Sequence, residues 1–144
     1  MKKIVIANDH AGTELKFKLI SFLQNKGFEV INLGTDTMDS VDYPTYVHPL
    51  AGFVESKKAE FGVLICGSAQ GVAITANKHA NIRAAVCWKK EIASLARQHN
   101  NANVLCLPAR FLEENEAYEI TQAFLATEFE GGRHQKRVDK ISII

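Results

Sequence analysis

The chain has 144 residues, 47% of them hydrophobic and 23% charged, with a formal net charge of +1. That length supports one domain with a substantial core, and the composition is ordinary for a globular protein. A near-neutral balance excludes a nucleic-acid binder that works through a broad basic field.

No apolar stretch approaches the ~20 residues a membrane span needs. The apolar run in "MKKIVIANDH" is too short for a secretory leader, so a cytoplasmic protein is expected. Cys66, Cys87 and Cys106 are an odd number at wide spacing with no C-x-x-C pair. Neither a disulfide scaffold nor a zinc knuckle is expected from them, and no metal site is expected elsewhere.

In chain order, "KIVIA" (3–7) reads as a strand. "ELKFKLISFLQNKG" reads as a helix with Leu15, Leu19, Phe22 and Leu23 on one face, ended by Gly27. "FEVINLG" is a second strand, and the segment 35–49, "TDTMDSVDYPTYVHP", reads as looser chain before helical periodicity resumes at "LAGFVESKKAE". Then come strand "FGVLIC", helix "QGVAITANKH", strand "IRAAVC", helix "KKEIASLARQHN" and strand "ANVLCL". A long helix, "LEENEAYEITQAFLATEFEG", precedes Gly131-Gly132 and the final segment "RHQKRVDKISII". Strands alternating with helices of ~10–15 residues call for a parallel sheet covered on both faces, and the nearly all-apolar strands agree. One domain, 1–144, is expected, with no linker and no internal repeat.

The polar residues fall where such a fold places a ligand. Asn8-Asp9-His10 follows the first strand, Cys66-Gly67-Ser68 the third, and Arg110 the fifth. Ligands of open α/β sheets bind beyond the carboxyl ends of the strands. His99-Asn100 is the exception, because it lies at a helix C-terminus and must reach across.

The turn "CGSAQG" lacks the Lys-Ser/Thr of a P-loop and the spacing of G-x-G-x-x-G. Gly67 and Gly71 nonetheless bracket a strand-to-helix turn whose amides suit a phosphate or an oxyanion, the plain alternative being a tight connection without a ligand. Cys87 and Cys106 read as buried hydrophobes. Cys66, at a helix N-terminus, reads as a candidate thiolate with a lowered pKa, able to abstract a carbon-bound proton or attack an electrophile. His10 beside Asp9 reads as functional, His48 and His79 as surface residues, and Trp88 and the Tyr43-Pro44 corner as lining a site or simply packing. In the tail, Arg133 and Arg137 share a helical face near His134 and suit a phosphate; Val138 and Ile141 form an apolar stripe fit to dock on another subunit.

Together, "NDHAG", "DYP", "LICGS", "GVAITANKHANIRAAVC", "ARQHNNANVL" and "EGGRHQKRV" resemble the ribose-5-phosphate isomerase B family, with its allose-6-phosphate and galactose-6-phosphate isomerase relatives, over essentially the whole chain. The resemblance implies a single-domain α/β/α sandwich around a five-stranded parallel Rossmann-like sheet with a C-terminal helical tail (131–144), assembled as a homodimer or dimer of dimers. It implies aldose–ketose isomerisation of a sugar phosphate without metal or cofactor. Cys66 would be the base between C2 and C1, and the amides of Gly67, Ser68, Ala69, Gln70 and Gly71 would hold the enediolate, with Ser68 assisting. His99 would open the sugar ring, with Asp9 and Asn100 on its hydroxyls. His10, Arg110, Arg133 and Arg137 would hold the phosphate, the last two from the partner subunit, with Tyr43 and His134 nearby.

The family loop commonly reads C-G-[ST]-G-x-G, whereas Ala69-Gln70 stands here. An alanine lacks glycine's freedom at positive φ, so the turn is expected to keep its shape if residue 69 is helical or β. A hexose-6-phosphate isomerase and a non-catalytic sugar-phosphate or nucleotide binder are the competing readings.

Overall fold

A computed structural model describes residues 2–143. The strands are β1 (Lys3–Asn8), β2 (Glu29–Asn32), β3 (Phe61–Cys66), β4 (Ala84–Val86) and β5 (Val104–Pro108). The helices are α1 (Thr13–Asn25), α2 (Tyr43–Glu55), α3 (Gln70–Ala76), α4 (Lys90–Asn100), α5 (Glu114–Ala126) and α6 (Arg133–Asp139), and short 3-10 turns at His10–Gly12 and Ala109–Phe111 follow β1 and β5. All strand pairs are parallel, in the order β2-β1-β3-β5-β4. Among the described residues no helix is long and apolar enough to cross a membrane.

Strand side chains alternate between two cores, as the period of two demands. Ile4 and Ile6 of β1, Val63 and Ile65 of β3, and Leu105 and Leu107 of β5 face one layer, packing on Leu19 and Leu23 of α1, Ala93 and Ala96 of α4, and Ile120 and Phe124 of α5. Val5, Ala7, Leu64, Cys66, Val104 and Cys106 face the other, against Val47, Leu50 and Val54 of α2 and Val72 and Ala76 of α3. The three central strands are buried almost throughout, so the expected α/β/α sandwich is the observed one.

One helix differs from the sequence reading. α2 begins at Tyr43, inside the segment read as loose chain, and stops at Glu55. Pro44 is in its first turn, where a missing N–H costs nothing. Leu50, Ala51 and Val54 bury the next turns.

Candidate active site

The topology selects one end of the sheet. From β1 the chain moves outward to β2, then crosses back to place β3 on β1's other side, so β1 and β3 flank the point where strand order reverses. Their register pairs Asn8 with Ile65, which sets Asp9 beside Cys66, and the Asp9 amide donates to the Ile65 carbonyl at 3.1 Å.

A cavity of about 440 Å³ opens here, lined by Asp9, Tyr43, Cys66, Gly67, Ser68, Gly71, Arg110 and Phe111. A larger one, about 1050 Å³, lies at the opposite end among Lys2, Lys3, Lys57, Lys58, Arg83 and Arg97. It is lined by no cysteine, serine or histidine, so chemistry rather than size singles out the smaller one.

Close packing fixes the groups around the thiol. A Cβ on Gly12 would lie 2.6 Å from Ile65 Cγ2, so the turn after β1 seats directly on β3. A Cβ on Gly71 would lie 2.5 Å from Tyr43 Cζ, which places the tyrosine ring directly against the start of α3. At Gly67 it would meet Arg110 Nη1 at 3.1 Å, and the Arg110 amide donates to the Gly67 carbonyl at 3.1 Å. The guanidinium therefore spans the turn that carries Cys66.

The Asp9 carboxylate accepts from the Ala11 amide at 2.9 Å, capping the 3-10 turn that holds His10. His10 Nδ1 accepts from the Val41 amide at 3.2 Å, which assigns the neutral ring's proton to Nε2. The loop that supplies Val41 is anchored by Lys16, a fully buried residue of α1 whose ammonium donates to the Thr35 carbonyl and the Asp36 carboxylate.

Two expectations at the turn are corrected. Ala69 adopts φ 65°, ψ 0°, the left-handed conformation glycine would take, and its methyl is fully buried. The turn therefore keeps its shape by straining an alanine rather than by finding another backbone conformation. The Cys66 thiol is pushed up from its ordinary value rather than down. Burial is the main cause; the Asp9 carboxylate adds to it, while the amides of Val72, Ala69 and Ser68 favour the thiolate without prevailing.

The sequence candidates form two groups. Asp9, Tyr43, Cys66, Ser68, Gly71 and Arg110 meet around one cavity, with His10 on the adjoining turn. His99, Asn100, Arg133, His134 and Arg137 do not join them within the chain. α4 runs back against the strands, so its end lies near the starts of β1 and β3, where Arg97 and Asn101 share a cavity with Lys3 and Phe61. Asn100 lines a separate cavity beside β4 with Ala84, Ala85 and Ile141. His99 stacks on His134, ring centroids 4.3 Å apart.

His48 and His79, read as plain surface residues, form a hydrogen-bonded chain: His48 Nδ1 is 2.8 Å from His79 Nε2, and His79 Nδ1 is 3.1 Å from Glu55. Sequence reasoning missed Phe111 at the rim, although it directly follows Arg110, and missed Lys16, which looked like one more surface cation of an amphipathic helix.

The sequence pattern of the family described as Ribose/Galactose Isomerase matches residues 4–141. The chain is 43% identical over 144 residues to ribose-5-phosphate isomerase B of Escherichia coli, covering 100% of this chain and 97% of that protein. A solved ribose 5-phosphate isomerase from Thermotoga maritima superposes with a TM-score of 0.97 at 46% identity, covering 99% of each chain. A ribose-5-phosphate isomerase B from Mycoplasma genitalium, solved with bound ribulose-5-phosphate, gives 0.93 at 44% identity over 96% of this chain and 93% of that one.

Proposed function

The chain belongs to the ribose/galactose isomerase family, and we propose that it is an isomerase interconverting ribose 5-phosphate and ribulose 5-phosphate through an enediolate, with Cys66 as the base. The observation that carries the reading is the placement of a buried thiol at the end of β3, faced by the amides of Ser68, Ala69 and Val72 and sharing its cavity with Asp9 and Arg110.

In the open-chain aldose, the Cys66 thiolate takes the proton from C2, and negative charge develops on O1. The turn amides stabilise that charge without reorganising, because the backbone already holds them in place. The O2 proton passes to O1 by way of the exposed Ser68 hydroxyl, and the thiol returns its proton to C1, leaving the carbonyl at C2. A thiol with a raised pKa is the stronger base once ionised, at the cost of a small thiolate fraction near neutral pH. Asp9 orders the sugar hydroxyls, and Arg110 with His10 Nε2–H holds the phosphate. That remote anchor supplies binding energy for positioning the reacting carbons.

Ring opening is assigned to His99, and the remaining phosphate contacts to Arg133, Arg137, His134 and Asn100. These lie out of reach of Cys66 in their own chain, which supports a homodimer in which each copy completes the other's site. The groove beside β4, with Ile82, Ala84, Ala85 and Ile141 on its wall, offers apolar surface for that second copy.

The test is exchange of substrate C2 hydrogen with solvent. The protein should exchange it with ribose 5-phosphate, in the presence of a chelator as well, and Cys66→Ala should lose about 10³-fold or more in kcat with its fold unchanged. No exchange with any aldose phosphate would end the isomerase reading. A higher kcat/KM for allose or galactose 6-phosphate would move the substrate within the family.

A further inference from the structure

The end of α4, the turn before α6 and the first turn of α6 bring together three side chains that can ligate a metal. His99, Glu130 and His134 place their ligand atoms within 4.8 Å of one another. The two imidazoles stack with an interplanar angle of 13°, and Glu130 Oε1 lies 3.4 Å from His134 Nε2. We propose that His99, Glu130 and His134 form a binding site for a divalent transition ion, Zn²⁺ in particular, whose occupancy inhibits the enzyme.

Three features carry this beyond a chance cluster. The site is built from two segments already tied together, since the Glu130 amide donates to the Gln98 carbonyl at 3.1 Å and clamps the turn against the last residues of α4. His134 is buried, and its amide donates to the Gly131 carbonyl at 3.0 Å, so one ligand is held while exposed Glu130 can adjust. The His99 ring makes no hydrogen bond to protein among the described residues, leaving its nitrogens available. The other histidine cluster, His48–His79–Glu55, has its facing nitrogens engaged in hydrogen bonds with each other and with the glutamate.

Two imidazoles and a carboxylate match the catalytic-type zinc set of three protein ligands with one open position, whereas Mg²⁺ and Ca²⁺ prefer all-oxygen sites. Bonds of about 2.0–2.2 Å require the three ligand atoms to draw together by roughly an ångström and the His99 ring to turn out of its stack on His134, since the lone pairs of parallel rings do not converge; rotation of the Glu130 and His99 side chains supplies both movements. A dication held by one carboxylate keeps net positive charge and an open face, and inorganic phosphate is the natural fourth ligand. The inhibition rests on the assignment of ring opening to His99, whose lone pair the ion would occupy; the binding does not.

The experiment is equilibrium dialysis of the full chain against ZnCl₂ alone, with the Co²⁺ visible spectrum as a second readout, alongside ribose 5-phosphate turnover. One ion per chain is expected, with a tetrahedral Co²⁺ band. Glu130→Gln, an exposed substitution, and His134→Ala should each weaken binding by at least about tenfold, and Cys66→Ser should leave it unchanged. Binding that survives both Glu130→Gln and His134→Ala, binding lost only in Cys66→Ser, or no stoichiometric binding would each overturn the site. If the ion binds as expected while turnover is unaffected, the metal site stands and the role given to His99 falls.

Discussion

Ala69 offers a measurement of the strain in the turn after Cys66. Its φ of 65° costs an L-residue about 1–2 kcal/mol relative to glycine. Replacing it by glycine removes that cost but loses the fully buried methyl, worth about 0.8 kcal/mol, and adds about 0.4–1 kcal/mol of unfolded-chain entropy. The contributions nearly cancel, so Ala69→Gly should lie within about 0.5 kcal/mol of the parent. Ala73 is the control: it is buried in the right-handed interior of α3, where no strain is relieved, and Ala73→Gly should cost about 2 kcal/mol. Urea unfolding at one fixed protein concentration, with equal m-values, reads both. Equal destabilisation of the two variants would refute a left-handed alanine at 69. Ala69→Val should cost more than either, because a β-branched residue tolerates positive φ poorly.

Gly12→Ala should destabilise by about 3 kcal/mol, since the new Cβ would meet Ile65 Cγ2 at 2.6 Å and the Ile65 carbonyl at 2.9 Å; activity should fall with it, because Ile65 precedes Cys66, the proposed base. Lys16→Ala should cost about 3 kcal/mol in chemical denaturation by leaving the Thr35 carbonyl buried without its donor, and a loss under 1 kcal/mol would show that loop 33–42 is held by something else. Burial raises the thiols of Cys66, Cys87 (to about 12) and Cys106, so their contribution to stability is complete below the unfolded thiol's ~8.5 and is lost as pH climbs toward 12; Cys87→Ala should flatten that alkaline decline. The same direction at Cys66 predicts kcat/KM rising with pH beyond the ordinary thiol range, and a plateau already reached at pH 7 would contradict it. Mixing Cys66→Ala with Arg137→Ala protein should restore activity through hybrid dimers, one intact site per pair, and no recovery despite subunit exchange would assign the tail to its own subunit.

The sheet was legible because β-branched runs such as "FGVLIC" alternate with periodic helices, and β3 occupies the residues expected. The start of α2 was not, because Asp42-Tyr43-Pro44 carries the same residues as a turn, and only burial of Val47, Leu50 and Ala51 decides for helix. Asp9, Cys66 and Arg110 were legible from their place just beyond apolar strands. The sign of the Cys66 shift was not, since a local helix-terminus argument omits the desolvation imposed by α3 and β1 packing around it. The separation of His99 from Cys66 follows from helix direction, which motif spacing along the chain does not convey.

The glycine contacts divide the turn into positions that can drift and positions that cannot. Gly12 and Gly71 each face another residue at less than 3 Å from where a side chain would begin, so neither is an easy route to a new sugar preference. Ser68 and Phe111 are exposed at the rim, Phe111 retaining 72% of its surface, and Gln70 is exposed at the start of α3. Divergence toward longer or differently configured sugars therefore has Phe111 and Gln70 as its freest positions, whereas Ser68 is tied to the thiol through its amide. A lineage could exchange substrates by altering the rim while inheriting the proposed base, the turn that faces it and the fold unchanged.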